Sequence, residues 1–300
     1  MPSNDSKHFL DFLPKPERKP KPRKKGMTMA IDPITSLVLD RYSEYIDTVK
    51  LLETTMWAPD SVVKNQIKEY KAHHIDVQIG GVPYEIARAS GMEDEFLSEA
   101  KSLGVDILEY ETHALKATKD EVRSGVDELK QRGFRVVGEV GAKWVWKDAT
   151  RTERDLIDVQ KTIDAFELFL DAGCEKTYWE GLIIQNLIGK HMENRPGQKQ
   201  LLEVAASIGE ENIVFELWGP SMTVQQPAKG WAWLVNQFGP EVNIGNVYSE
   251  GVRILESVRR GTFYEWDHPY IRWLGEDKPT KNWWQMDTPP YDVYVDKYGR

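Results

Sequence analysis

Ionisable side chains recur where short apolar runs end. Asp32 closes MTMAID, Lys50 lies near the end of YIDTVKL, and Glu109 and Glu111 lie in DILEYE. Glu139 lies in RVVGEVG with Lys143 just beyond it, Glu180 lies near the end of KTYWEG, and Glu216 in NIVFEL. An eighth run, VNIGNV, carries Asn243 and Asn246. In an extended chain Glu109 and Glu111 share one side, with Tyr110 opposite. A buried carboxylate is costly unless it is paired or bound to a metal. One acid at a strand end reads as well as a structural ion pair; acids closing five runs do not. Converging carboxylates are natural oxygen ligands of Mg²⁺, which takes a few protein oxygens and keeps waters or substrate oxygens. The two lysines add a proton donor and an anion clamp. Such a set suits an enolate-like intermediate, with metal on the carboxylate and lysine moving the carbon-bound proton. A Schiff base on Lys50 or Lys143 is the competing chemistry. His113, just after the fourth run, is the histidine worth testing. His73 and His74 are adjacent and on a helix point different ways, and Cys174 before the sixth run reads as a small core residue.

Something must hold these ends together. The runs Met27–Asp32, Tyr45–Leu51, Asp76–Gly81, Asp106–Glu111, Arg135–Gly141, Lys176–Gly181, Asn212–Leu217 and Val242–Val247 read as strands. Helical patterns lie between them at Ala58–His73, Glu93–Leu103, Lys119–Arg132, Glu153–Ala172, Lys199–Ile208, Val224–Phe238 and Glu250–Arg260. Leu156, Val159, Ile163, Phe166 and Leu170 show the helical period most clearly. Strands separated by helices pair in parallel through right-handed crossovers. Eight such units predict an α/β fold, a (β/α)8 TIM barrel with its chemistry at the C-terminal strand ends. An open doubly wound sheet is the alternative, but no GxGxxG follows any strand. A phosphate site is expected after strands 7 and 8, near Trp218-Gly219-Pro220-Ser221, Gly245-Asn246 and Ser249-Glu250-Gly251.

Composition narrows the class. The chain has 300 residues, 40% hydrophobic and 29% charged, with a formal net charge of −9. That acidity argues against general nucleic-acid binding. One cysteine excludes a disulfide scaffold or a multi-cysteine metal site. No run approaches the roughly 18 apolar residues that span a bilayer, and the start has no apolar signal segment. A cytoplasmic enzyme is expected. Residues 1–26 form an extended basic arm, interleaving Lys15, Arg18, Lys19, Lys21 and Arg23 with Pro14, Pro16, Pro20 and Pro22. It reads as an anion tether or as an arm packed on the body. The barrel is expected over 27–261. Residues 262–300 carry Trp266, Trp273, Trp283 and Trp284, too aromatic for a disordered tail, and should pack on the barrel, at a subunit interface or over the site.

The pieces PRKKGMTMAID, YIDTVK, VQIGGVPYEIA, GFRVVGEVGAK, FLDAGCEKTYWEG, IVFE, VNIGNV and LESVRRGTF, in that order, resemble the phosphosulfolactate synthase family. The resemblance runs from about Pro22 to Phe263. It implies a (β/α)8 enzyme that adds sulfite to phosphoenolpyruvate with Mg²⁺ in coenzyme M biosynthesis, assembled as a homo-oligomer, a trimer. It implies Lys143 as the acid, matching the second lysine of the family's E-V-G-K-K, with Lys50 and Glu139 beside it. It implies Glu109, Glu180 and Glu216 as metal ligands or organisers. Asp32, Gln225, Gln226 and Asn243 also match, and together with Asn246 and His113 they are the expected substrate contacts.

The departures are local. The family's F-G-W-G-T after strand 2 reads Leu51-Leu52-Glu53-Thr54-Thr55, and its S-D-G after strand 4 reads Glu111-Thr112-His113. The first lysine of E-V-G-K-K is Ala142, and G-R-E-S-G after strand 6 reads Gly181-Leu182-Ile183-Ile184-Gln185. An arginine suited to phosphate or sulfonate is lost, and Lys190, His191 and Arg195 on the expected loop after strand 6 are candidate replacements. The added Glu53 and Glu111 disfavour a second dianion. A related barrel enzyme with another nucleophile or carboxylate substrate, or a non-catalytic binding barrel, is the alternative function.

Overall fold

The computed structural model describes residues 8–141, 157–189, 192–217, 226–263 and 268–286. Among them eight strands pair in parallel: β1 (Thr28–Ile31), β2 (Thr48–Leu51), β3 (Asp76–Ile79), β4 (Ile107–Tyr110), β5 (Arg135–Val140), β6 (Thr177–Trp179), β7 (Ile213–Glu216) and β8 (Ile244–Val247). They close in sequence order, with β8 beside β1. Each lies inside the run read from the sequence, and the open sheet is excluded. No described helix is long and apolar enough to cross a membrane.

Alternation along each strand builds two cores. Outward residues such as Val49, Val77, Leu108, Val136, Trp179 and Phe215 pack under the helices. Inward residues Met29, Ile31, Ile107, Val137, Tyr178 and Val214 form a separate cluster inside the barrel. The next inward position, two residues on, is charged in several strands: Lys50, Glu109, Glu139, Glu180 and Glu216. Two residues of strand rise about 7 Å. The apolar layer is thus the floor beneath a charged one.

The expected helices form as α2 (Asp60–Ala72), α4 (Glu93–Leu103), α5 (Lys119–Gln131), α6 (Val159–Asp171), α8 (Arg195–Ile208), α9 (Gln226–Phe238) and α10 (Gly251–Arg259). Four more were not read: α1 (Ser36–Tyr42), α3 (Gly81–Ser90), α7 (Gly181–Ile188) and α11 (Pro269–Gly275). Gly80-Gly81 and Gly181 look like turns, yet each opens a helix directly from a strand end. Pro83 falls in the first turn of α3, where its missing N–H has no helical partner to lose. The segment GLIIQNLI, expected as a loop, is helical and buries Ile184, Leu187 and Ile188. Arg195 likewise stands on the first turn of α8, after the cap Asn194 whose side chain accepts from Gly197 N–H at 3.1 Å; Lys190 and His191 lie outside the described residues.

The described part of the N-terminal arm runs across the barrel's underside. Arg23 pairs with Asp47 at 3.0 Å, and Asp47 accepts the Thr28 N–H at 2.8 Å. Arg18 pairs with Glu256 at 3.2 Å. The Lys21 ammonium donates to the carbonyls of Ser43, Ile46, His73 and His74 at 2.8–3.3 Å. These partners engage Arg18, Lys21 and Arg23 with the barrel.

The C-terminal segment packs at the same end. Trp283 is buried against Gly261 and Tyr270, and Trp284 lies on Gly239 with its carbonyl accepting from Asn236 Nδ2 at 2.8 Å. Gly239 and Gly261 follow the C-terminal ends of α9 and α10, which lie at the underside. Residues 268–286 therefore pack on the barrel at its underside, away from the mouth. Truncation after Phe263 removes this aromatic packing and is expected to lower Tm by about 10 °C. Calorimetry checks it; an unchanged Tm would show that the packing contributes nothing.

Candidate active site

Lys50 is the hub of the charged layer. Its ammonium donates to Glu109 Oε2 at 2.8 Å and to Glu216 Oε1 at 2.9 Å, and lies 5.1 Å from the centre of the Tyr178 ring. Tyr178 donates its hydroxyl to Gln78 Oε1 at 2.6 Å, and Gln78 Nε2 donates to Glu109 Oε2 at 2.9 Å. The Gly81 N–H at the start of α3 donates to Glu109 Oε1 at 3.0 Å, where the positive end of the helix favours a carboxylate. Lys50, Gln78, Glu109, Glu139 and Glu216 are all buried. Gly245 leaves room for the Glu216 side chain, since a Cβ there would press on its Cγ at 3.2 Å. Beside this group Glu111 Oε2 is 2.9 Å from His113 Nδ1, and Glu139 Oε1 is 3.7 Å from the same nitrogen.

The electrostatics are lopsided. Burial pulls the Lys50 ammonium down, but Glu109, Glu216 and Glu139 outweigh it and hold its pKa well above the usual value. Burial pushes Glu216 up to about 7, against the pull of Lys50 and helped by Glu139 and Glu109. The Lys50 ammonium is shared directly by Glu109 and Glu216, with the Glu139 charge close by. An ammonium held by carboxylates is a poor nucleophile, because attack on a carbonyl needs the free amine.

The acidic cluster could hold a metal ion. Carboxylate oxygens of Glu109, Glu139 and Glu216 lie within 4.8 Å of one another, as do donor atoms of Glu111, His113 and Glu139. Three hard oxygens at that spacing suit an ion that leaves its other positions to water or substrate.

The structure brings together Lys50, Glu109, Glu139, Glu216 and His113 of the expected residues, and corrects others. Among the described residues Glu180 is not one of the clustered carboxylates; it caps α7, accepting the Leu182 N–H at 3.3 Å. Asn243 is not at the mouth. It precedes β8 at the underside, where its amide accepts from Met27 N–H and donates to the carbonyls of Glu211 and Ile213. Asp32 follows inward-facing Ile31 and so turns outward, accepting the Tyr70 hydroxyl at 2.5 Å and facing Thr55 at 3.4 Å. Burial raises its pKa, opposed by those two hydrogen bonds. Asn246 is the extra residue of a β-bulge, with a φ of 53°, and its Oδ1 is buried without a hydrogen-bond partner. Ser249, expected near the phosphate, accepts the Thr35 N–H at 3.1 Å. Gln226 opens α9; Gln225 and Lys143 lie outside the described residues. Glu53 is exposed on a 3-10 turn, whereas Glu111 is buried. Gln78 and Tyr178 were not foreseen. The polar residue alternating with Val77 and Ile79 was the available signal for Gln78.

Comparison with known proteins identifies the family. The family model described as (2R)-phospho-3-sulfolactate synthase matches residues 16–265. The phosphosulfolactate synthase of Methanocaldococcus jannaschii is 31% identical over 220 residues, 73% of this chain and 82% of that one. That of Methanothermobacter thermautotrophicus is 27% identical over 260 residues, 84% and 95% of the two chains. Among solved structures, the YdjI aldolase of Escherichia coli K12 aligns over 81% of this chain and 94% of its own, with a TM-score of 0.47 and 11% identity. The chain belongs to the (2R)-phospho-3-sulfolactate synthase family.

Proposed function

We propose that this barrel adds sulfite to phosphoenolpyruvate, forming phosphosulfolactate with the help of Mg²⁺. The observation that supports it is the buried Lys50–Glu109–Glu139–Glu216 layer in a chain of this family. Mg²⁺ held by Glu109, Glu139 and Glu216 would supply positive charge to the substrate carboxylate as negative charge builds on it. Lys50 stays protonated and fixes Glu109 and Glu216 in place. Glu109 is further held by Gln78 and by the first turn of α3. The sulfur lone pair of sulfite forms the bond to the methylene carbon, and the double-bond pair moves toward the carboxylate. Lys143 then gives its proton to the neighbouring carbon, completing the addition. The phosphate would lie near the β8–α10 turn, where Asn246 and Ser249 stand, and Gln225 and Gln226 would be further contacts. The enzyme is expected in the cytoplasm as a homo-oligomer, a trimer, with no nucleic-acid or membrane partner.

A second reading rests on Glu111. Its buried carboxylate beside His113 and Glu139 repels a second dianion. A nucleophile less charged than sulfite, added to the same kind of carboxylate substrate, answers that charge.

The metal-enolate mechanism is tested against its Schiff-base competitor by two treatments. EDTA should abolish turnover and Mg²⁺ restore it, while borohydride with substrate should leave the mass of the protein unchanged. Turnover indifferent to EDTA, or a lysine adduct trapped by borohydride, would contradict the mechanism.

A further inference from the structure

Glu85 is a buried carboxylate, 5% exposed, that the reaction above does not use. It lies on α3, and both its oxygens accept backbone N–H groups from the segment after β4. Ala114 N donates to them at 3.1 and 3.2 Å, and Leu115 N donates to Oε1 at 2.8 Å. That segment, between β4 and α5, has no helix or strand of its own, and it carries His113. Lys116 ties the segment to itself, its ammonium reaching the carbonyls of Thr112 and His113 from an exposed position. An exposed lysine holds a loop weakly; a buried carboxylate with two N–H partners holds it firmly.

The same helix face touches the rest of the group. Residues 81 and 85 are four apart and therefore share a face of α3. Gly81 donates its N–H to Glu109, and a Cβ on it would overlap the Glu111 side chain. One face of α3 thus sets Glu109, gives space to Glu111 and anchors the backbone next to His113.

We infer that Glu85 is a positioning residue: through Ala114 and Leu115 it fixes the His113 imidazole against Glu111 and Glu139. Its catalytic consequence rests on the synthase reading; its geometric consequence does not, because the placement of the imidazole can be measured without substrate. The protein is labelled with ¹⁵N in its histidine rings, and the His113 signals are assigned from their loss in His113→Gln. In Glu85→Ala these signals should move toward those of a solvent-exposed histidine. Glu85→Gln keeps one acceptor oxygen but turns an NH₂ toward a backbone N–H, so an intermediate shift is expected. That variant also serves if the alanine protein fails to fold. With phosphoenolpyruvate and sulfite, Glu85→Ala should lower kcat about 10–100-fold, with much less change in KM. The same substitution in a His113→Gln background should cost less than about 2-fold, because its target is already gone. Unmoved His113 signals in folded Glu85→Ala or Glu85→Gln overturn the inference, whatever the enzyme turns over. An equal loss of kcat with and without His113 also overturns it. Moved signals in a protein that shows no turnover even as wild type leave the positioning role standing and overturn the synthase reading instead.

Discussion

Lys50→Met is expected to abolish turnover and to cost about 3–5 kcal/mol of stability at pH 8, as breaking a buried ion pair does. The variant keeps Glu109, Glu139 and Glu216 in a buried layer and removes the ammonium that two of them share. The pH dependence distinguishes this from a packing defect. Glu216 titrates near 7 in the intact protein, against an ordinary 4.5, because burial outweighs Lys50. Without Lys50 its pKa rises further. An acid whose pKa is raised by folding holds its proton more tightly in the folded state. Its ionised form therefore weighs against folding above about pH 7, and that penalty fades as the pH falls toward 4.5. Urea unfolding at pH 8 and pH 5.5 should show the deficit shrinking at the lower pH. A deficit that is small, or equal at both pH values, would mean that Lys50 is not the counter-ion of this layer.

Lys143→Ala is expected to lower kcat by about 10²–10⁴, the usual contribution of a positioned general acid. Lys143 follows β5 three residues beyond Val140, and Glu139 of the same strand belongs to the carboxylate group. Ala142 stands where the resembling family has its other lysine, so the lysine next to it in the family's stretch is absent here. Tm and substrate affinity should change little. Retained kcat would remove Lys143 as the proton donor.

The barrel and its charged layer were legible because the code is local. Ile107-x-Glu109, Val137-x-Glu139 and Val214-x-Glu216 each put an apolar residue and an acid on the same side of a strand. The strand bounds followed from β-branched runs. Other features depended on what comes next in the chain. Glu180 looks like its fellow acids until α7 is known to start at Gly181, where a helix N-terminus captures the carboxylate. Asn243 was misplaced although it stands near the start of VNIGNV, the end that a barrel strand turns away from the mouth. The bulge at Asn246 leaves no mark that distinguishes it from a turn. Asp32 was a missed opportunity: inward Met29 and Ile31 already dictate that residue 32 points outward. The role of Glu85 depends on a loop docking on a helix, a contact between segments 29 residues apart that no periodicity reports.

The measurement that bears most directly on the proposed reaction is the loss of the enol absorbance of phosphoenolpyruvate in the presence of sulfite and Mg²⁺, with EDTA and sulfite-free controls. A loss that requires both sulfite and the metal is the predicted result, and it would mean that Glu111 and the altered segments after strands 2 and 6 tolerate a second anion. A folded protein that binds Mg²⁺ and leaves phosphoenolpyruvate untouched by sulfite would contradict the account and assign this mouth to another nucleophile or substrate.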